Sequence, residues 1–311
     1  MAKTLMIMKK YIYYALAAFL AVTAFSSCKE KALDPDSIIT VDAKVQNDFD
    51  KWLVNNYVNP YNILVKYRYE MNESDYSYYT IPADLNCSII LAHLVKYLCI
   101  DSYDEVAGVD FTRQYFPKMF FYIGEWEYRN NGTFILGTAE GGKKILLSGV
   151  NYIPSVLRGA YQGYTDVGEA LNHFYIKTIH HEFTHILNQT KDFPSDFSQV
   201  TPSGYVTDSW STPDYANNLE RGFISTYAQH SDREDFAEMM SLYVTNSQEK
   251  WDGWMQQAGS AASLIMTKLD IVKSYMYETF GIDLEELRET VLRRQNEVVS
   301  GLVDLTSLEI N

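Results

Sequence analysis

Residues 180–186 read HHEFTHI, and within them His181 and His185 stand four apart with Glu182 directly after the first. On an α-helix, positions four apart lie one above the other, so two imidazoles can aim at one point, as zinc requires at about 2.0–2.1 Å from each nitrogen. Glu182 is turned by roughly 100° from His181. It need not be a ligand and is suited to take a proton from a water beside the metal. A hydrolytic zinc of this type needs a third protein ligand from elsewhere, an open position, and outer carboxylates that orient the histidines. Residues 234–238, EDFAE, offer Glu234 and Glu238, again four apart. Phe236, Ala237, Met239 and Met240 make that stretch apolar, and carboxylates in such a setting are costly without a cation. The spacing leaves a bland alternative open, a solvated acidic face in a chain with 40 acidic residues. His180 points in another direction on the helix and reads as a surface or packing residue. His230, four before Glu234, reads as a rim or outer-sphere group. His93 and His173 have no partner spacing and read as structural. No glycine-rich phosphate loop and no serine nucleophile elbow is present.

The elements that must hold these residues follow from periodicity and punctuation. Residues 42–56 carry apolar residues at helical spacing and end at Asn59-Pro60, and YNILVKYRYE (61–70) and YSYYTIP (76–82) alternate as strands do. CSIILAHLVKYLCI, within 84–100, reads as a buried helix. Twelve residues of helix put Cys87 and Cys99 about 18 Å apart, too far for a disulfide, so both read as buried thiols. Three strand-like runs between 117 and 152, separated by Asn130-Asn131-Gly132 and Gly141-Gly142, suggest an antiparallel hairpin or meander. The last of them, KKILLSGVNY, is expected to offer an edge to an extended peptide. A long helix from Val167 to Gln189 carries the histidines. A loop over 190–219 contains Pro194, Pro202 and Pro213, and a helix over 231–246 starts at a Ser231 or Asp232 cap. Two more helices, near 259–279 and 283–298, complete the pattern. Strands first and helices afterwards indicate an α+β domain.

The chain begins outside that domain. Lys9-Lys10 precede the apolar run Tyr11 to Phe25 and then SSC at 26–28, the form of a secretory signal. The run is short for a stable membrane span. FSSC resembles a loose lipobox, with Cys28 as the lipidated residue; a plain secreted protein is the alternative. The expected organisation is a signal peptide over 1–27, a tether over 28–41, and one domain over 42–311. That domain has a strand-rich part over 42–165 and a helical part over 166–311. A formal net charge of −14, with no run of Lys or Arg, excludes a nucleic-acid partner. The 25 tyrosines suit amphipathic strands and groove walls.

HEFTH followed some fifty residues later by TYAQHSDREDFAEMM is similar to the gluzincin metallopeptidases. It resembles in particular the anthrax lethal factor catalytic domain, where HEFGH is followed by a tyrosine and, seven residues on, by a glutamate in an E-x-F-A-E helix. That resemblance implies a zincin-like fold with His181, His185 and Glu234 as ligands of one zinc ion, Glu182 as general base, Tyr227 as the phenol at the metal and Glu238 as the outer acid. Many gluzincins have Asp at that last position, so the reach to the histidines differs. Through its lipobox with LDPDSI, HHEFTHILNQ and GFISTYAQHSDREDFAEMMSLYV, the chain also resembles the zinc metallohydrolase lipoproteins of Bacteroidota encoded beside SusC/SusD-like transporters. This implies a lipid-anchored metallopeptidase of the outer membrane, facing the periplasm or the cell surface, with a peptide or protein substrate and a SusC/SusD-like partner. Two other expectations stand beside it: a non-catalytic zinc-binding accessory lipoprotein of a transporter, and a zinc hydrolase of a non-peptide amide.

Overall fold

The structure, a computed structural model, describes residues 46–74, 77–128, 134–140 and 143–310. The expected signal peptide, tether and Cys28 lie outside the described residues, as do the expected turns at 130–132 and 141–142. Helix α1 (Asp48–Leu53) starts at a reciprocal cap: Asp50 N donates to Asn47 Oδ1, and Asn47 N donates to Asp50 Oδ2, each at 2.8 Å. The helix widens into a π turn over Val54–Val58, closes through Asn59–Tyr61, and ends where Asn62 turns left-handed at φ 54°. Only β1 (Leu64–Lys66) forms from the expected strand at 61–70. Over 76–82 the described residues form one bridge, Pro82 to Ile123, in place of a strand.

The expected buried helix is longer than its apolar run. It consists of α2 (Leu85–Leu94), a π turn over Val95–Ile100, and α3 (Asp101–Ala107). The rod is long and apolar enough to cross a membrane. Here it is a core helix: Leu91, Leu94, Val95, Leu98, Cys99 and Ile100 have no solvent exposure. Cys87 and Cys99 are buried free thiols, as their spacing requires. Helix α4 (Val109–Tyr115) follows.

The expected antiparallel pairing forms between two pairs of neighbouring strands, but the strands do not continue as a meander. In order along the chain they are β2 (Met119–Tyr122), β3 (Glu127–Tyr128), β4 (Phe134–Ile135), β5 (Gly137–Glu140) and β6 (Lys144–Leu147). The main sheet has the order β1-β2-β6-β5 and is mixed. β1 and β6 flank β2 in parallel, and only β5 runs antiparallel to β6. β3 and β4 form a separate antiparallel pair. The physical reason lies in burial: after the first residue every position of β2 and β6 is buried, so the runs are apolar on both faces, as in parallel strands. β6 is therefore internal, and the edge expected from it belongs to β5.

Helices α5 (Ile153–Leu157) and α6 (Val167–Leu171) lead through a π turn over Asn172–Ile176 into α7 (Lys177–Thr190). Helix α8 (Asp196–Val200) and several single 3₁₀ turns occupy the proline-rich stretch before α9 (Asp232–Thr245). The final helices number three rather than the two expected. α10 (Gln248–Ala258) starts at Ser247, whose side chain accepts from Lys250 N, and precedes α11 (Ala262–Phe280) and α12 (Leu284–Val299). The α+β class stands as expected.

One side of α7 is locked into the core. The Phe183 ring meets Tyr103 edge-on at 4.9 Å and Phe116 at 4.8 Å. Such pairs each contribute about 0.5–1.5 kcal/mol beyond area burial. His180, with no exposure, shares a hydrogen bond of 3.0 Å with the Tyr103 hydroxyl. That anchoring turns the opposite side of α7, with His181, Glu182 and His185, toward β5 and α9.

Candidate metal centre

Helix α9 is placed by two local devices. Ser231 Oγ accepts from Glu234 N at 3.3 Å and caps the first turn, which Asp232, Glu234 and Asp235 make acidic, as the helix dipole favours. Lys268 of α11, without exposure, donates to Asp235 Oδ2 at 2.5 Å and to the Gly222 carbonyl at 2.9 Å. Its ammonium also sits 3.9 Å from the centre of the Phe223 ring. This buried cation ties α9 and α11 to the turn at Gly222, which adopts φ 83° and leads into the stretch carrying Ser225 and Tyr227.

Three donors converge where α7 and α9 face each other. His181 Nε2 lies 2.9 Å from Glu234 Oε2, His185 Nε2 lies 3.1 Å from His181 Nε2, and His185 Nε2 lies 3.2 Å from Glu234 Oε2. An ion held tetrahedrally at about 2.0–2.1 Å spaces its donors by about 3.3 Å, so the triangle fits zinc to within a few tenths of an ångström. Among the described residues this is the one group of three or more His, Cys, Asp or Glu side chains arranged to hold a metal ion. The chemistry of the set agrees: two ring nitrogens and a carboxylate oxygen facing one point form a cation site.

Glu238 stands behind His181, with its side chain 2% exposed. Its Oε1 lies 2.9 Å from His181 Nδ1, slightly off the hydrogen-bond direction, and also accepts from Lys177 Nζ. Its Oε2 accepts from Ser225 Oγ at 2.7 Å. Burial works against charge on Glu238, but Lys177 and His181 outweigh it and hold the carboxyl well below its usual range. Glu234 behaves likewise: burial raises it, while hydrogen bonds from His181 and His185 bring it far down. For His181, burial opposes the charged form, and Glu234, Glu238 and Glu182 together push it up to about 9. His180 next door has no such partner, and burial pushes it down to about 3.

A cavity of about 270 Å³ opens beside His181 and Glu182. Phe134, Ile135, Leu136, Trp210 and Tyr227 form its apolar walls, and β5 begins at its rim with Gly137. A Cβ on Gly137 would sit 2.7 Å from the Leu146 carbonyl oxygen and 2.8 Å from Thr178 Cγ2, so only glycine lets β5 lie this close to α7. Tyr227 packs 6.0 Å from the His181 ring, centre to centre. His230 stacks beyond it, 5.7 Å from Tyr227 and 3.7 Å from Asp208, at the rim. His173 stacks on Tyr164 at 5.2 Å and also lines the cavity, which its isolated position in the sequence did not suggest. Sequence reasoning also missed Lys177 and Ser225. Lys177 lies four before His181, the same helical spacing that drew attention to His185. Ser225 sits outside any helix or strand and carries no pattern.

An HExxH helix packed against a second helix that contributes a carboxylate, beside a small sheet, defines a zincin-type metal site. Residues 42–285 match the family described as putative zinc-binding metallo-peptidase, and the chain belongs to that family. A crystal structure of a putative zinc-binding metallo-peptidase from Bacteroides caccae ATCC 43185 is similar, with 38% identity and a TM-score of 0.70. The likeness covers 88% of this chain and all of that one. Among curated proteins nothing matches. The recognition made from HHEFTH and EDFAE thus holds at the level of the family, its fold and its zinc.

Proposed function

We propose that the chain is a zinc metallopeptidase in which His181, His185 and Glu234 hold one zinc ion and Glu182 is the general base. The observation that carries this reading is the convergence of the three donors within 3.2 Å of one another, with Glu182 lining the adjoining cavity. Zinc bound there supplies a Lewis acid, which polarises a carbonyl and brings the pKa of a water toward about 7. Glu182 takes the proton as the water attacks and passes it to the departing amine. The Tyr227 hydroxyl donates to the oxygen on which charge develops; loss of one such donor typically costs about 10²-fold or more in rate. Glu238 fixes the His181 ring through Nδ1. An extended peptide lies along β5, the edge strand that starts at the cavity, and gains main-chain hydrogen bonds there.

The same proposal includes a lipid on Cys28, attachment to the outer membrane, and association with a SusC/SusD-like transporter. These rest on the basic, apolar and small-residue pattern before Cys28 and on the lipoprotein resemblance of the mature chain. Purified protein should hold close to one zinc per chain. In a broad peptide library with a chelator control, wild type should cut and Glu182→Gln should not, while keeping its metal. Zinc bound without cleavage of any peptide would favour the accessory-protein reading instead.

A further inference from the structure

The cavity beside His181 contains a cation that the proposed reaction does not use. Lys177 opens α7 directly after the π turn over Asn172–Ile176, whose closing hydrogen bond runs from Lys177 N to the Asn172 carbonyl. Positions four apart on an α-helix advance by about 40° around the axis. The wider π turn keeps them closer to one line, and such turns recur at functional sites. As a result His173, Lys177 and His181 all line the same cavity. The Lys177 side chain remains 21% exposed, against 2% for Glu238, with which it pairs. An ammonium has three N–H donors, and the pair with Glu238 occupies one. Glu238 also receives Ser225 and faces His181, so it does not depend on Lys177 alone. Phe134, Ile135, Leu136, Trp210 and Tyr227 give the cavity an apolar side, which strengthens a charged hydrogen bond made against it. Its remaining lining residues include the carboxylates Glu182 and Glu238, and Lys177 is the lysine among them. Lys177 and His181 Nδ1 meet the same oxygen, Glu238 Oε1, so the ammonium lies within about two residues of extended chain of the His181 ring, at about 3.3–3.6 Å per residue.

We propose that Lys177 determines specificity: it binds a substrate carboxylate close to the scissile bond, supplied either by an acidic side chain or by the free C-terminus of the peptide. This inference rests on the peptidase reading above. It is tested on the zinc-loaded protein with matched peptides built around one cleaved sequence. In one arm Glu replaces Gln at each position flanking the cut; in the other a free terminal acid replaces the amide. The charged member of the recognised pair is expected to be preferred about tenfold or more in kcat/KM, mainly through KM, as for a hydrogen bond between charged groups. The arm that shows the preference identifies the source of the carboxylate. Lys177→Met should abolish the preference and Lys177→Arg should keep it. Because Lys177→Met also takes a partner from Glu238, rates on both peptides fall, and the ratio between them is the measurement. Equal cleavage by wild type in both arms, or a preference that survives Lys177→Met, overturns the inference. If no peptide is cut, the peptidase reading fails separately. Binding of acid and amide forms of short library peptides to zinc-loaded Glu182→Gln protein, measured by calorimetry, then decides: charge-selective binding that the added Lys177→Met substitution removes supports the carboxylate site, and equal binding refutes it.

Discussion

Glu238→Gln changes one atom pair at the back of the metal centre and tests how far the outer carboxylate governs the zinc. The native carboxylate is buried and meets three groups: the His181 ring at 2.9 Å, Ser225 at 2.7 Å and the Lys177 ammonium. Glutamine keeps the shape and can still accept from Ser225 or Lys177, but it loses the charge that orients His181 and enriches its ring. The three metal donors on His181, His185 and Glu234 are untouched. Loss of an outer partner of this kind typically weakens metal affinity about 10–100-fold, or about 1.4–2.7 kcal/mol. Lys177 is partly exposed and can turn toward water, so the fold should survive with modest loss. Zinc affinity is measured by competition with a chromophoric chelator, and folding by circular dichroism with and without metal. A folded variant whose affinity stays within about twofold of wild type would refute the claim that Glu238 orients His181.

Two further outcomes follow from the charges of the site. Below about pH 9 His181 of the metal-free protein is an imidazolium, with a second ring proton that zinc must displace; apparent zinc affinity should therefore rise about tenfold per pH unit from pH 7 toward 9. The sign for stability runs the other way without metal. The folded pKa of His181 is raised above 6.5, so its contribution is complete below that pH and is lost as pH climbs through 9; thermal unfolding of metal-free protein at pH 6 and 9 checks this. The buried Lys268–Asp235 pair gives a third outcome: Lys268→Met alone should destabilise by about 3–5 kcal/mol, and adding Asp235→Leu should recover much of that in denaturant titrations.

The parts of the molecule legible in its sequence are those fixed by local rules. Helices α7 and α9 announce themselves through four-residue spacing and the Ser231 cap, and with them come His181, Glu182, His185 and the pair Glu234 and Glu238, of which the gluzincin resemblance, not the spacing, singles out Glu234 as the ligand. The sheet was not legible in the same way, because the pairing of β2 with both β1 and β6 is non-local. The unbroken apolar runs MFFY and ILL were the signal for parallel strands, but a run of that kind is shared with buried helices. Lys177 was within reach of the helical rule that found His185. Ser225 reaches Glu238 from a stretch without regular structure across a tertiary contact, and no spacing in the chain foretells that.

Two adjacent histidines on α7 have opposite fates, His180 kept neutral against Tyr103 and His181 carried to the metal face. A single residue gained or lost between the π turn and His185 would rotate this pair by a step, turning an imidazole without acidic neighbours toward the zinc and sealing the intended ligand inside the protein. Helix α7 therefore admits one reading frame. Natural variation in length should accumulate between residues 190 and 219, where one short helix and single turns lie between the two ligand-bearing helices, while the nine residues from Lys177 to His185 keep their number.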